Sequence, residues 1–229
     1  MTQVLAVLAD GSSEAPVIET AAALAEIARA QVRQVSLAAN LSAERAVAQV
    51  LGALRAPGTL LAVLAADERS RSIWRRVAQQ SARPVVLVPA AARGRPGEIR
   101  RVLVPLDGTA ESAAAVAGTV ERFARAGVDL VVLHVFDAET VPRFWDQVGH
   151  AEGAWAEEFL ARYCAQPGVR LEIRTGVAWE HVLDVTEAER ADMIALGWSQ
   201  RLDPGRARTV RRAVLDGAVP VMLVPLATE

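Results

Sequence analysis

The sequence predicts an α/β fold of open parallel sheets with helices on both faces, present as two unequal tandem copies. Three observations carry this. Short apolar runs ending in turn residues alternate with longer segments of helical period, as βαβ units require. Residues 5–14, LAVLADGSSE, resemble residues 102–111, VLVPLDGTAE, with Asp10 falling on Asp107 at an offset of 97. Residues 83–89, RPVVLVP, resemble 219–225, VPVMLVP, at an offset of 136. The two offsets differ by 39 residues, the size of one strand-helix step with its loops, since a βαβ unit takes about 30 residues or more. The N-terminal copy is therefore shortened internally.

In the first copy, strands are expected at 3–9, 32–38, 60–65 and 84–89, with helices at 14–30, 43–54 and 71–80 between them. Four strands over about ninety residues make a small core, so this copy is expected to lean on its partner. Residues 90–99, AAARGRPGEI, carry glycine, proline and charge without apolar period, which is linker chemistry. This gives a shortened domain at 1–90, a linker at 91–97 and a full domain at 98–229.

The second copy opens with a buried strand at 101–106, ended by Asp-Gly. A helix at 111–126 sets Ala, Val and Phe against charge. Strands follow at 128–135, 169–174 and 193–197, with helices at 153–165, 180–189 and 206–215 and a closing strand at 219–226. In the 153–165 helix, Trp155, Phe159 and Leu160 share a face. The closing strands of the two copies should each be sheet edges, a liability unless paired.

Composition excludes several functions. All 25 basic residues are arginine and none is lysine, so a P-loop or a Schiff base is unavailable. The net charge of −2 leaves no basic footprint for nucleic acid. Cys164 is alone, so neither an intrachain disulfide nor a Cys-based zinc site can form, which fits a reducing cytoplasmic setting. The N-terminus reads as a first strand rather than a signal peptide, and no apolar run is long enough to span a membrane. No G-x-S-x-G elbow follows a strand. His134, inside a strand, reads as a satisfied core residue, and His150 and His181 are isolated.

The segments VLVPLDGTAESA (102–113), LHV (133–135), ADMIALG (191–197) and VPVMLVP (219–225) together resemble the universal stress proteins. The resemblance covers nearly all of the second copy and the two ends of the first. It implies a Rossmann-like, HUP-type sheet of order 3-2-1-4-5, with a nucleotide crevice beyond the carboxyl ends of strands one and four. It also implies antiparallel pairing of the closing strands, here as an intrachain pseudo-dimer. Nucleotide-binding members carry G-x-x-G, nine residues, then G-[ST] after strand four, glycines that let phosphate approach the backbone at a helix N-terminus.

This signature is degenerate here. Gly197 matches the first glycine, but Gln200 stands at the second. The G-[ST] pair falls on Ala207-Arg208, with Thr209 one step late, and Pro204 stiffens an interval of six residues rather than nine. In the first copy the corresponding loop reads Ala65-Ala66-Asp67-Glu68, without glycine, and of the G-[ST] pair at Arg71-Ser72 only the serine survives. Asp10 and Asp107 match the aspartate that contacts the adenine end in relatives, although Asp-Gly-[ST] is also a helix-cap signature, the leading reading here. Trp179 and Trp198 are expected to pack at the crevice. Residues 139–152, with Pro142, Phe144, Trp145 and His150, are expected to cover the sheet or meet a partner.

The resemblance thus implies a cytoplasmic, non-enzymatic stress-response protein with little or no ATP binding, no cofactor and an unidentified protein partner. Neither nucleic acid nor membrane is an expected partner, and further homodimerisation of whole chains is left open. The alternative is one ATP or AMP site with magnesium in the C-terminal copy, held by Pro105, Asp107, Val135, Gly197, Arg201, Arg208 and Thr209, with Arg206 adding to the basic cluster.

Overall fold

The computed structural model describes residues 1–9, 14–92, 98–136, 149–201 and 207–226, the side chains of 149–152 excepted. The first copy comprises β1 (Gln3–Ala9), α1 (Glu14–Ile27), β2 (Gln31–Leu37), α2 (Ala43–Arg55), β3 (Thr59–Ala66), α3 (Arg71–Gln80) and β4 (Val85–Pro89). The second comprises β5 (Arg101–Pro105), α4 (Ala110–Arg125), β6 (Asp129–Phe136), α5 (Gly149–Tyr163), β7 (Arg170–Thr175), α6 (Ala178–Ala188), β8 (Met193–Trp198), α7 (Arg208–Asp216) and β9 (Val221–Pro225). Each expected element is present, with ends shifted by a few residues. Helix α1 stops at Ile27, short of the expected 30, where Arg29 turns to a left-handed backbone with φ 49°.

The strands form one sheet of nine, in the order β2-β1-β3-β4-β9-β8-β5-β6-β7. The expectation was two sheets joined through their closing strands; β4 and β9 do pair antiparallel, Val85 with Leu223, Val86 with Met222 and Leu87 with Val221, and that pairing makes the two sheets one. All other pairings are parallel. The second half has the 3-2-1-4-5 order. The first half has that order without its third strand, which would be the outermost one. Losing an outermost strand exposes β2 but breaks no interior ladder, and β2 accordingly carries Gln31, Arg33, Gln34 and Ser36 on its exposed positions.

Successive residues of each strand enter opposite cores, as the two-residue period of a strand requires. Val85, Leu87, Val221 and Leu223 join one core, covered by α2, α3, α6 and α7. Val86, Val88, Met222 and Val224 join the other, covered by α1, α4 and α5. Both cores run across both copies without interruption. At the amino ends of the strands, Asp192 of the ADMIALG segment accepts hydrogen bonds from the Arg100 and Arg101 amides at 2.8 and 2.9 Å. The motif aspartate therefore locks the start of β5 to the chain entering β8. No described helix is long and apolar enough to cross a membrane.

Cut from the second copy, β4 would present Val86 and Val88, both buried in the intact chain, at an unpaired edge. A fragment spanning 1–90 is expected to show no cooperative thermal transition by circular dichroism, whereas the full chain melts cooperatively. A sharply melting fragment would show that the first copy does not depend on the second.

Candidate functional site

Strand β5 pairs with β6 on one side and β8 on the other, so the chain leaves its neighbouring strands in opposite directions and opens a crevice at their carboxyl ends. A cleft of about 800 Å³ occupies this position. Pro105, Asp107, Val135, Gly197, Arg208 and Thr209 line it; Arg201 is exposed and does not. Asp10, Arg206, Pro204 and residues 139–148 lie outside the described residues, as does the side chain of His150.

The turn after β5 is a self-contained cap. Asp107 Oδ1 accepts from the Thr109 amide at 3.0 Å and from the Thr109 hydroxyl at 2.7 Å. Thr109 Oγ1 in turn accepts from the Ser112 amide at 3.2 Å, capping α4. Gly108 sits between them at φ 80°, where an added Cβ would lie 3.3 Å from His134 Cε1. The cap reading of the aspartate therefore has a geometric basis, one carboxylate oxygen being committed to the turn.

The signature residues after β8 do other work. A Cβ on Gly197 would lie 3.2 Å from the Ser112 carbonyl and 3.4 Å from both Ala115 and Leu226, so this glycine serves close packing of β8 on α4. Gln200 keeps the left-handed backbone a glycine would have, at φ 60°. Its amide nitrogen donates across the molecule to the carbonyls of Ala78 and Ser81, at 3.3 and 2.6 Å. These lie in the last turn and C-cap of α3, where carbonyls lack helical partners. The residue at the second glycine position thus staples the two copies together. Ala207, at the third glycine position, is buried and forms the N-cap of α7 without any side-chain hydrogen bond. Side chains thus stand at two of the three glycine positions of the set, and the middle one is tied to the other copy.

An aromatic wall closes the β6 side. Trp155, Phe159 and Tyr163 recur every four residues on α5, with ring centroids 4.9 and 4.8 Å apart in succession. His134 packs against Phe136 and Phe159 at 4.7 Å each and is buried, its Nδ1 2.9 Å from the Leu106 carbonyl. The expected core role of His134 is borne out. That contact assigns the proton to Nδ1. Burial pushes its pKa below the usual 6.5, opposed by the Leu106 hydrogen bond and the Asp107 carboxylate. Trp198 is buried in the core, as expected of a packing residue. Trp179 lines the cleft, and its indole N–H is shut off from solvent and has no partner among the described residues. The i, i+4 spacing on α5 marked a packing face but not that the face borders a cleft; Tyr163 and Arg162 were missed for that reason.

Among the described residues, the first copy shows no equivalent of this loop set. Between β3 and α3 stand only Asp67, Glu68, Arg69 and Ser70, and Asp67 Oδ1 accepts from both the Ser70 amide and its hydroxyl at 2.7 Å. The third strand that would wall a crevice is also missing.

Two substitutions test these roles. Gln200 carries a left-handed strain of about 1 kcal/mol, against two interdomain hydrogen bonds of about 1 kcal/mol each. Denaturant unfolding is expected to rank wild type above Q200G and Q200G above Q200A, since glycine relieves the strain while alanine keeps it. For His134, the unfolded chain takes up a proton near pH 6.5 whereas the folded chain resists until lower pH. Stability should therefore be flat above about pH 6.5 and fall below it, with a slope of up to about 1.4 kcal/mol per pH unit. His134→Asn should remove that slope in urea midpoints measured between pH 7.5 and 5.

A universal stress protein family model matches residues 98–225. No curated protein matches the sequence. Among solved structures, a functionally unknown protein from Pseudomonas aeruginosa PAO1 is similar with a TM-score of 0.63 at 13% identity, over 98% of this chain and 92% of that one. A putative universal stress protein from Pseudomonas aeruginosa UCBPP-PA14 gives 0.62 at 13% identity, over 98% and 93%. A universal stress protein from Archaeoglobus fulgidus DSM 4304 gives 0.56 at 15% identity, over 99% and 87%. These identities bear on the fold alone. The family match spans more than half of the sequence, and the chain belongs to the universal stress protein family.

Proposed function

We propose that this chain is a non-enzymatic, cytoplasmic stress-response protein that has lost, or nearly lost, ATP binding and acts through protein contacts. In this reading residues 1–90, joined by a linker at 91–97 to the full domain at 98–229, are a built-in dimerisation partner. The β4–β9 pairing then makes the chain an intrachain pseudo-dimer. The observation that carries the reading is Gln200. A residue placed where phosphate needs backbone glycine instead donates its side chain to α3 of the other copy. The cap role of Asp107 and the four-residue loop after β3 support it as well.

A second reading, one ATP or AMP site with magnesium in the C-terminal copy, is favoured by a specific observation: six of the seven candidate residues border one cleft. Titration calorimetry of the full chain with magnesium ATP separates the two. Binding weaker than millimolar is expected; micromolar binding would overturn the first reading in favour of the second.

A further inference from the structure

Helices α3 and α7 share a feature that neither the crevice nor the sheet uses. Arg75-Arg76 and Arg211-Arg212 stand 136 residues apart, the offset that relates the closing strands. The buried positions of the two helices match at the same offset, Trp74 with Val210, Val77 with Ala213 and Ala78 with Val214. Both copies therefore hold an arginine pair at the same rotation about an equivalent helix. Both helices cover the same core and pack against β4, so they lie on one face of the sheet, astride the β4–β9 junction.

Residues 69–83 and 207–216 hold eight of the chain's 25 basic residues and one of its 27 acidic ones. A chain of net charge −2 thus concentrates positive potential over these two helices. Arg71 pairs with Glu68, and Arg212 with Asp216 at 2.7 Å. Arg75 lies over the Trp74 ring at 6.0 Å. Among the described residues, Arg76 and Arg211 have no carboxylate partner.

An apolar spot adjoins the charge. A groove of about 310 Å³ is lined by Trp179, Arg208, Arg211, Arg212, Leu215 and Asp216, and Leu215 is 40% exposed. Arginine stems and a leucine make a surface that takes an apolar side chain with carboxylates beside it. On the far side of α7, helix α6 sets Glu180, Asp184 and Glu187 at exposed positions. The positive area therefore ends after two helices of 10 and 9 residues, each about 15 Å long. A nucleic-acid duplex or a membrane would continue past them onto the α6 carboxylates, which repel phosphate. A short acidic peptide would not.

From this arrangement we infer that the face formed by α3 and α7 docks an acidic segment of a partner protein, its carboxylates on the arginines of both helices and one apolar side chain in the groove beside Leu215. The inference rests on the reading that the chain acts through protein contacts, and it adds the surface and the chemistry of the partner.

The test is fluorescence anisotropy on the full chain with a labelled peptide of glutamates bearing a single leucine. It is expected to bind at least about tenfold more tightly than the same peptide with lysine for glutamate, and to weaken with added salt. Replacing the leucine by serine should cost several-fold. Arg76→Gln and Arg211→Gln should each weaken binding several-fold with an unchanged circular dichroism spectrum, whereas Arg45→Gln, which removes the same charge from an exposed position on α2, should not. No binding at millimolar peptide, equal affinity for the serine peptide, unaltered binding in either Arg76→Gln or Arg211→Gln, or an equal loss in Arg45→Gln would overturn the inference. So would tighter binding of duplex DNA or phosphatidylserine vesicles in parallel titrations. Micromolar binding of magnesium ATP would instead overturn the reading on which it rests and leave the peptide result standing, because Arg76 and Arg211 do not line the crevice, so the two failures are distinguishable.

Discussion

The antiparallel pairing of β4 with β9 is the contact on which the rest of the architecture depends. An open parallel sheet exposes two edges, and a strand as apolar as Val85–Pro89 or Val221–Pro225 cannot be left at one of them. Placing the two together removes both liabilities at once and lets each core continue across the junction. It also reverses the direction of the strands between the copies. Helices α3 and α7 each run antiparallel to the strands of their own copy, so the carboxyl end of α3 comes to the end of the sheet where β8 finishes. Only in that arrangement can Gln200 reach the Ala78 and Ser81 carbonyls.

The shortening of the first copy follows the same logic. Its missing strand would be the outermost in the series, where removal costs one ladder and leaves every interior pairing intact. The polar strand β2 can serve as an edge in its place. What is absent is the strand that would flank β2, and the connection from β3 to α3 is four residues long. The crevice described lies in the second copy, while the first supplies sheet continuity and a helix end for Gln200 to cap.

Within the crevice, several positions of the nucleotide signature serve packing and capping. Gly197 accommodates the Ser112 carbonyl, Asp107 holds Thr109, and Ala207 is buried at the start of α7. Each role satisfies a local need of the fold, so family resemblance at those positions does not by itself report ligand binding. Among the described residues, the Trp179 indole N–H is buried without a hydrogen-bond partner.

Local chemistry was enough to read the element sequence, because strand and helix periods, turn residues and the tandem offsets are all encoded over short distances. The degenerate glycine positions and the missing strand-helix step were legible for the same reason, as was the buried role of His134 inside an apolar run. The pairing of the closing strands was expected from the family resemblance, but the partners of Gln200 and the neighbours of Trp179 were not legible. Gln200 lies 119 residues from Ser81, and Tyr163 borders the cleft only because α5 packs over the end of β6. Such contacts depend on how elements stack rather than on what each residue prefers. The sequence by itself therefore determined the fold class, the repeat and its truncation, whereas only the tertiary structure decided which side chains close the crevice and which donors it leaves unpaired.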